Sequence, residues 1–115
     1  MKKLVIIPTY NEKENIAAII HAVIVLGNQY HVLVVDDGSP DGTADLVDSI
    51  ILSFPERVFI LKRKGKSGLG TAYIAGFHWA LNKQYSFICE MDADFSHPPA
   101  DLVRLRNACF LHGAE

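Results

Sequence analysis

The fold class is α/β: a parallel sheet covered by helices on both faces. Two observations predict it. Apolar runs rich in β-branched residues alternate four times with segments of helical period. The runs are continuous rather than alternating, as expected of strands buried on both faces. Short loops between them make successive βα units the simplest arrangement. Half of the 115 residues are hydrophobic, enough for one modest core and one globular domain.

Leu4-Val5-Ile6-Ile7 is the first strand, and a helix is expected from about Glu12 to Leu26, with Asn11 as its N-cap and Gly27 as its stop. Val32-Leu33-Val34-Val35 is the second strand. It ends at Asp36-Asp37 and a turn-rich stretch, Gly38-Ser39-Pro40-Asp41-Gly42. Thr43 or Asp41 can cap a second helix through Leu52, on which Leu46, Val47, Ile50 and Ile51 keep a helical period. Val58-Phe59-Ile60-Leu61 is the third strand, and a basic, glycine-rich loop from Lys62 to Gly70 leads to a helix over about Thr71 to Leu81. Ser86 to Met91 is the fourth strand. A last helix is expected from about Pro99, a residue suited to a first turn, to Leu111.

The net charge of -2, from 11 basic and 13 acidic residues, gives the whole chain no electrostatic footprint for nucleic acid. Cys89 and Cys109 form no C-x-x-C pair, and Cys89 lies in an apolar run, so a buried thiol in a reducing compartment is preferred to a disulfide or a zinc site. Leu4 to Ile7 is too short for a signal-peptide core and runs into Pro8, so export is not expected. The longest apolar segment, Ile16 to Leu26, is about half of a bilayer span.

In a parallel α/β sheet the carboxyl ends of the strands open on one edge, where ligands bind. The polar and acidic clusters fall at those ends: Pro8 to Glu12, Asp36 to Gly42, Lys62 to Gly70 and Asp92 to His97. Asp92 and Asp94, one small residue apart, put two carboxylates on one side of an extended segment, where a hard cation bridging phosphate oxygens could use them. D-x-D alone also occurs in turns and caps, and its place at a strand end is what favours function. Asp36 and Asp37 read either as acceptors for ribose and base or as turn residues. Of the two, Asp37 is the functional candidate, and Asp41 reads as a turn and cap residue. The basic loop matches neither a P-loop, whose first glycine would fall at Ile60, nor a dinucleotide fingerprint. It remains a cationic loop able to meet phosphate through Lys or Arg, or simply a solvated one.

Four ordered motifs resemble those of inverting GT-A glycosyltransferases of family 2: Pro8 to Glu12, Val35 to Thr43, Lys66 to Tyr73 and Met91 to Pro98. The G-L-G-T-A-Y and M-D-A-D patterns are most similar to dolichol-phosphate and polyprenol-phosphate mannose synthases. The resemblance implies that residues 1–115 form the Rossmann-like nucleotide-sugar-binding half of a GT-A fold. It implies metal-dependent, inverting transfer of mannose from GDP-mannose to a polyprenyl phosphate at the cytoplasmic membrane face. Pro8, Tyr10 and Glu12 would contact the nucleotide, Val35 and Asp37 the base or ribose, and Lys66 the phosphates. Asp92, Ala93 and Asp94 would bind the diphosphate and Mg2+ or Mn2+, with Asp92 and Asp94 the catalytic pair. Ser96 stands where relatives place a further metal ligand, sometimes glutamine.

Family catalytic domains continue with more strands that build the acceptor side. Three alternatives therefore stand beside a working transferase at this stage. They are a truncated or non-catalytic nucleotide-sugar-binding module, a fragment that pairs with itself along exposed sheet edges, and a receiver-type signalling domain. The last is disfavoured because its paired acids belong after the first strand, where this chain has Pro8-Thr9-Tyr10-Asn11-Glu12.

Overall fold

The computed structural model describes residues 2–65, 69–91 and 110–111. Their elements are β1 (Lys3–Thr9), α1 (Ile16–Ile24), β2 (Tyr30–Asp36), α2 (Thr43–Ile51), β3 (Val58–Lys62), α3 (Leu69–Ala80), β4 (Phe87–Glu90) and β5 (Phe110–Leu111). They form one sheet in the order β3-β2-β1-β4-β5. β1 pairs in parallel with β2 and β4, and β2 with β3, as expected of βα units. The receiver-type alternative requires the order 2-1-3-4-5, which this sheet does not have.

The period of two along the strands divides the core. On one side Val5 and Ile7 of β1 and Val32 and Val34 of β2 meet Ile16, Ile19, Ile20 and Val23 of α1 and Val47 and Ile50 of α2. On the other, Leu4, Ile6, Leu33 and Val35 meet Ala72 and Ala80 of α3. The continuous apolar runs of β1 and β2 are thus explained: both faces of these central strands are covered. α3 lies unusually close to β1. A Cβ at Gly76 would stand 2.7 Å from Ile6 Cγ2, so this helix position excludes any side chain unless Ile6 moves.

Three expectations are corrected. Of the last helix expected over Pro99 to Leu111, the described end, Phe110–Leu111, is a strand. It pairs antiparallel with β4, Phe87 with Leu111 and Ile88 with Phe110. An antiparallel strand at the edge of a parallel sheet satisfies the outer ladder of β4, and two residues carry no periodicity that a sequence reading could detect. Cys89 is disulfide-bonded rather than a free thiol. The sequence reading missed this because it took the apolar run around Cys89 and the lack of a C-x-x-C pair as marks of a buried free thiol. Finally, Asn11 does not cap α1. Its φ of 57° is left-handed, and the helix begins at Ile16 after a turn in which Glu12 O accepts the N–H groups of Asn15 and Ile16. Asn tolerates this region better than most residues, and the next section gives the contacts that hold it there.

Candidate functional site

Chain connectivity reverses at β1, with β2 and β3 on one side and β4 on the other. A crevice outside the carboxyl ends of the strands at such a switch point is where open α/β sheets bind ligands. β1 delivers Pro8, Thr9, Tyr10 and Glu12 to this edge, and β2 delivers Asp36 and Asp37. On the far side the Met91 N–H donates to Ile6 O at 3.0 Å, carrying the β1–β4 ladder one residue past β4. Asp92, Ala93, Asp94 and Ser96 follow it in sequence; they and Lys66 lie outside the described residues.

Asp36 organises the edge. It is 2 % exposed, and its carboxylate accepts the Thr9 hydroxyl at 2.7 Å, the Ser39 hydroxyl at 2.7 Å and the Ser39 N–H at 3.0 Å. Ser39 Oγ in turn accepts the Asn11 N–H at 2.8 Å, which fixes Asn11 in its left-handed conformation. The same pattern repeats one step along. Thr43 Oγ1 accepts the Glu12 N–H at 3.1 Å while its own hydroxyl donates to Asp41 Oδ1, and Asp41 Oδ2 accepts the Lys13 N–H at 3.2 Å. Asp41 Oδ1 also accepts the Thr43 N–H at 3.0 Å, a turn just ahead of α2, whose N-cap is Gly42 rather than the Asp41 or Thr43 expected from the sequence. The Thr43 hydroxyl, ahead of the Lys13 and Thr43 N–H groups, holds the Asp41 carboxyl below its ordinary range. Three consecutive N–H groups, at Asn11, Glu12 and Lys13, are therefore tied to the loop after β2 and the first residue of α2. At Asn11 and Glu12, whatever a ligand meets must be side chain or carbonyl rather than N–H.

Asp37 is 5 % exposed; its N–H donates to Thr9 O at 3.0 Å, and its Oδ1 lies 3.0 Å from Arg63 Nε. Val35 packs fully buried beneath α3, in register with Pro8 on β1 and Leu61 on β3, so its side chain faces core. Tyr10 and Glu12 are half-buried at the rim.

The basic loop is less available to anions than its composition suggests. Lys62 still belongs to β3 and pairs with Asp48 of α2 at 2.8 Å. Both groups are substantially exposed, and the Asp48 hydrogen bond and charge raise the Lys62 pKa. Arg63 is held by Asp37 and by Thr71, whose Oγ1 accepts from Nη2 at 2.8 Å. Gly38, at φ 76°, brings the loop after β2 against this one. A Cβ there would stand 3.3 Å from Gly65 N, in a conformation that side chains rarely adopt.

Sequence reasoning found Asp36, Asp37 and Asp41, and Thr43 as a cap candidate, but missed the side-chain bonds of Thr9, Ser39, Thr43 and Arg63. The spacings Asp36-x-x-Ser39 and Asp41-x-Thr43 are local turn signals that could have identified two of these. The Asp37–Arg63 pair joins two loops, and no local pattern announces it.

The model for glycosyl transferase family 2 matches residues 4–109. The chain is 54% identical over 107 residues to the polyprenol monophosphomannose synthase of Mycolicibacterium smegmatis, covering 93% of this chain and 40% of that protein. It is 48% identical over 108 residues to the undecaprenyl-phosphate mannosyltransferase of Micrococcus luteus, covering 94% and 44%. The chain thus spans less than half the length of these two relatives. Among solved structures, a mannosyltransferase from Pyrobaculum calidifontis in complex with GDP-Man and Mn2+ superposes with a TM-score of 0.73 at 24% identity, over 93% of this chain and 31% of that one. That likeness bears on the fold, which is the Rossmann-like half of a GT-A architecture.

Proposed function

The chain belongs to glycosyl transferase family 2, and from that premise we propose that it forms the nucleotide-sugar-binding part of an enzyme that transfers mannose from GDP-mannose to a polyprenyl phosphate, with inversion and with Mg2+ or Mn2+. One observation carries the proposal. The Pro8–Glu12 and Asp36–Thr43 segments are laced together at the switch point of the sheet, beside the strand that leads into Asp92-Ala93-Asp94, in a chain 54% identical to a protein named polyprenol monophosphomannose synthase.

In this reading Pro8, Tyr10 and Glu12 line the nucleotide side, and Asp37 accepts hydrogen bonds from the base or ribose. Lys66 meets the phosphates, and Val35 serves from beneath by packing. The cation belongs with Asp92 and Asp94, assisted by Ser96. Among the described residues no group of three or more acidic, His or Cys side chains could hold an ion, and the Asp36 and Asp41 carboxylates are committed to protein donors. Carboxylate oxygens are the donors that Mg2+ and Mn2+ prefer. A bound cation would supply charge neutralisation on the departing diphosphate. The acceptor phosphate is an anion at neutral pH, so its oxygen attacks the anomeric carbon without a general base while GDP leaves from the opposite face. The residues of the chain then contribute chiefly by positioning.

A lipid acceptor puts the site at a membrane surface, and the proposed location is the cytoplasmic face. There the Cys89 disulfide would have to persist against reducing conditions. No helix among the described residues is long and apolar enough to cross a membrane. Transfer of radiolabelled mannose from GDP-mannose to a polyprenyl phosphate, with Mg2+ or Mn2+, tests the reaction. Lipid-linked mannose that disappears with chelator and in Asp94→Ala is the expected result, and product formed equally well without a cation would contradict it.

A further inference from the structure

We propose that Arg63 is a positioning residue for nucleotide recognition: its guanidinium fixes the Asp37 carboxylate and the first turn of α3 in one relation, and does not itself meet phosphate. The proposal rests on the donor-site reading given above and assigns the Asp37 side of that site a support of its own.

Arg63 is anchored at three points. Its N–H donates to Asp36 O at 2.7 Å at the end of β3, its Nε lies 3.0 Å from Asp37 Oδ1, and its Nη2 donates to Thr71 Oγ1 at 2.8 Å. The two charged side chains are only 17% and 7% exposed, so salt screens their attraction weakly and removal of either leaves the other's charge in a poor solvent. The guanidinium meets Asp37 by charge, at 3.0 Å from Nε but outside hydrogen-bond geometry, and Thr71 by a hydrogen bond from Nη2; the single ammonium of lysine cannot span both in this way. The loop after β2 passes close to the Arg63 backbone as well: a Cβ at Gly38 would stand 3.4 Å from Arg63 O. A guanidinium that neutralises a nearly buried carboxylate is poorly placed to recruit a phosphate.

The test is titration of GDP-mannose, with Mn2+, into the wild type, Arg63→Met, Arg63→Lys, Asp37→Asn and the Arg63→Met/Asp37→Asn double variant, with thermal melts of each. A residue that serves stability alone lowers the melting temperature and leaves the Kd of the folded protein unchanged. A positioning residue raises Kd tenfold or more in Arg63→Met, with little rescue by Arg63→Lys, and this effect shrinks below threefold once Asp37 is already Asn. Should Arg63→Met fail to fold, Arg63→Lys carries the same comparison. Wild-type affinity in Arg63→Lys, or an Arg63→Met effect undiminished in the Asp37→Asn background, overturns the inference while leaving the donor site intact. A wild type that binds no GDP-mannose overturns the donor-site reading, and the inference with it.

Discussion

Replacing Gly76 by alanine should destabilise the protein, although the same change on an exposed helix would stabilise it. Alanine gains about 1 kcal/mol in helix propensity over glycine. Against this, the added Cβ stands 2.7 Å from Ile6 Cγ2 and 3.0 Å from Ile6 Cδ1. Ile6 cannot swing aside easily: it is fully buried in the central strand, with Leu33 and Glu90 as its neighbours in register. Forcing a methyl into a packed core costs roughly 1–3 kcal/mol. A contact under 3.0 Å with a fully buried strand residue belongs in the upper part of that range, about 2–3 kcal/mol, so the net loss is about 1–2 kcal/mol. For a chain of this size that lowers Tm by roughly 3–10 °C. Urea unfolding followed by circular dichroism measures it. Ile6→Ala removes the opposing methyl groups, so the double variant should lose less than the sum of the two single losses. Wild-type or greater stability in Gly76→Ala would refute the close approach of α3 to β1.

Asp36→Ala should cost about 2–4 kcal/mol in urea unfolding, because three donors lose a charged, buried acceptor; Asp36→Asn should cost about half as much, since its oxygen still serves the two hydroxyls. A loss below about 0.5 kcal/mol in Asp36→Ala, the range of an ordinary surface change, would show that the network does not hold the edge together. His31 bonds the Tyr85 hydroxyl at 3.0 Å, and burial, followed by the charges of Lys2 and Arg57, lowers its pKa below 6.5. The neutral imidazole is thus favoured in the folded state: its contribution is complete above about pH 6.5 and is lost as pH falls from there through the lowered folded value. His31→Gln should therefore flatten the fall in unfolding free energy between pH 7.5 and 5, and an unchanged slope would dismiss the assignment. Tyr85, pushed up to about 12 by burial, stays protonated throughout this range.

The parallel βα order was legible because continuous β-branched runs occur only where both faces of a strand are covered, as Leu4–Ile7 and Val32–Val35 are. So was the convergence of polar clusters on one edge, since parallel strands share a direction. What the sequence concealed is non-local. The left-handed Asn11 depends on Ser39, the availability of Arg63 depends on Asp37 and Thr71, and the return of Phe110–Leu111 along β4 depends on an open ladder. Composition made Lys62 and Arg63 look like phosphate ligands, and only the fold supplies the carboxylates that engage them. The assignments to Lys66, Asp92, Ala93, Asp94 and Ser96 rest on motif and family, because these residues lie outside the described ones.

The central claim is a metal-dependent, guanine-selective donor site at the switch point of the sheet. Calorimetric titration of GDP-mannose with Mn2+, repeated after chelation and against UDP-glucose as competitor, tests it most directly. The account predicts saturable binding of GDP-mannose that chelator weakens and UDP-glucose does not displace. Equal affinity with and without the cation, or displacement by UDP-glucose at matched concentration, would contradict it.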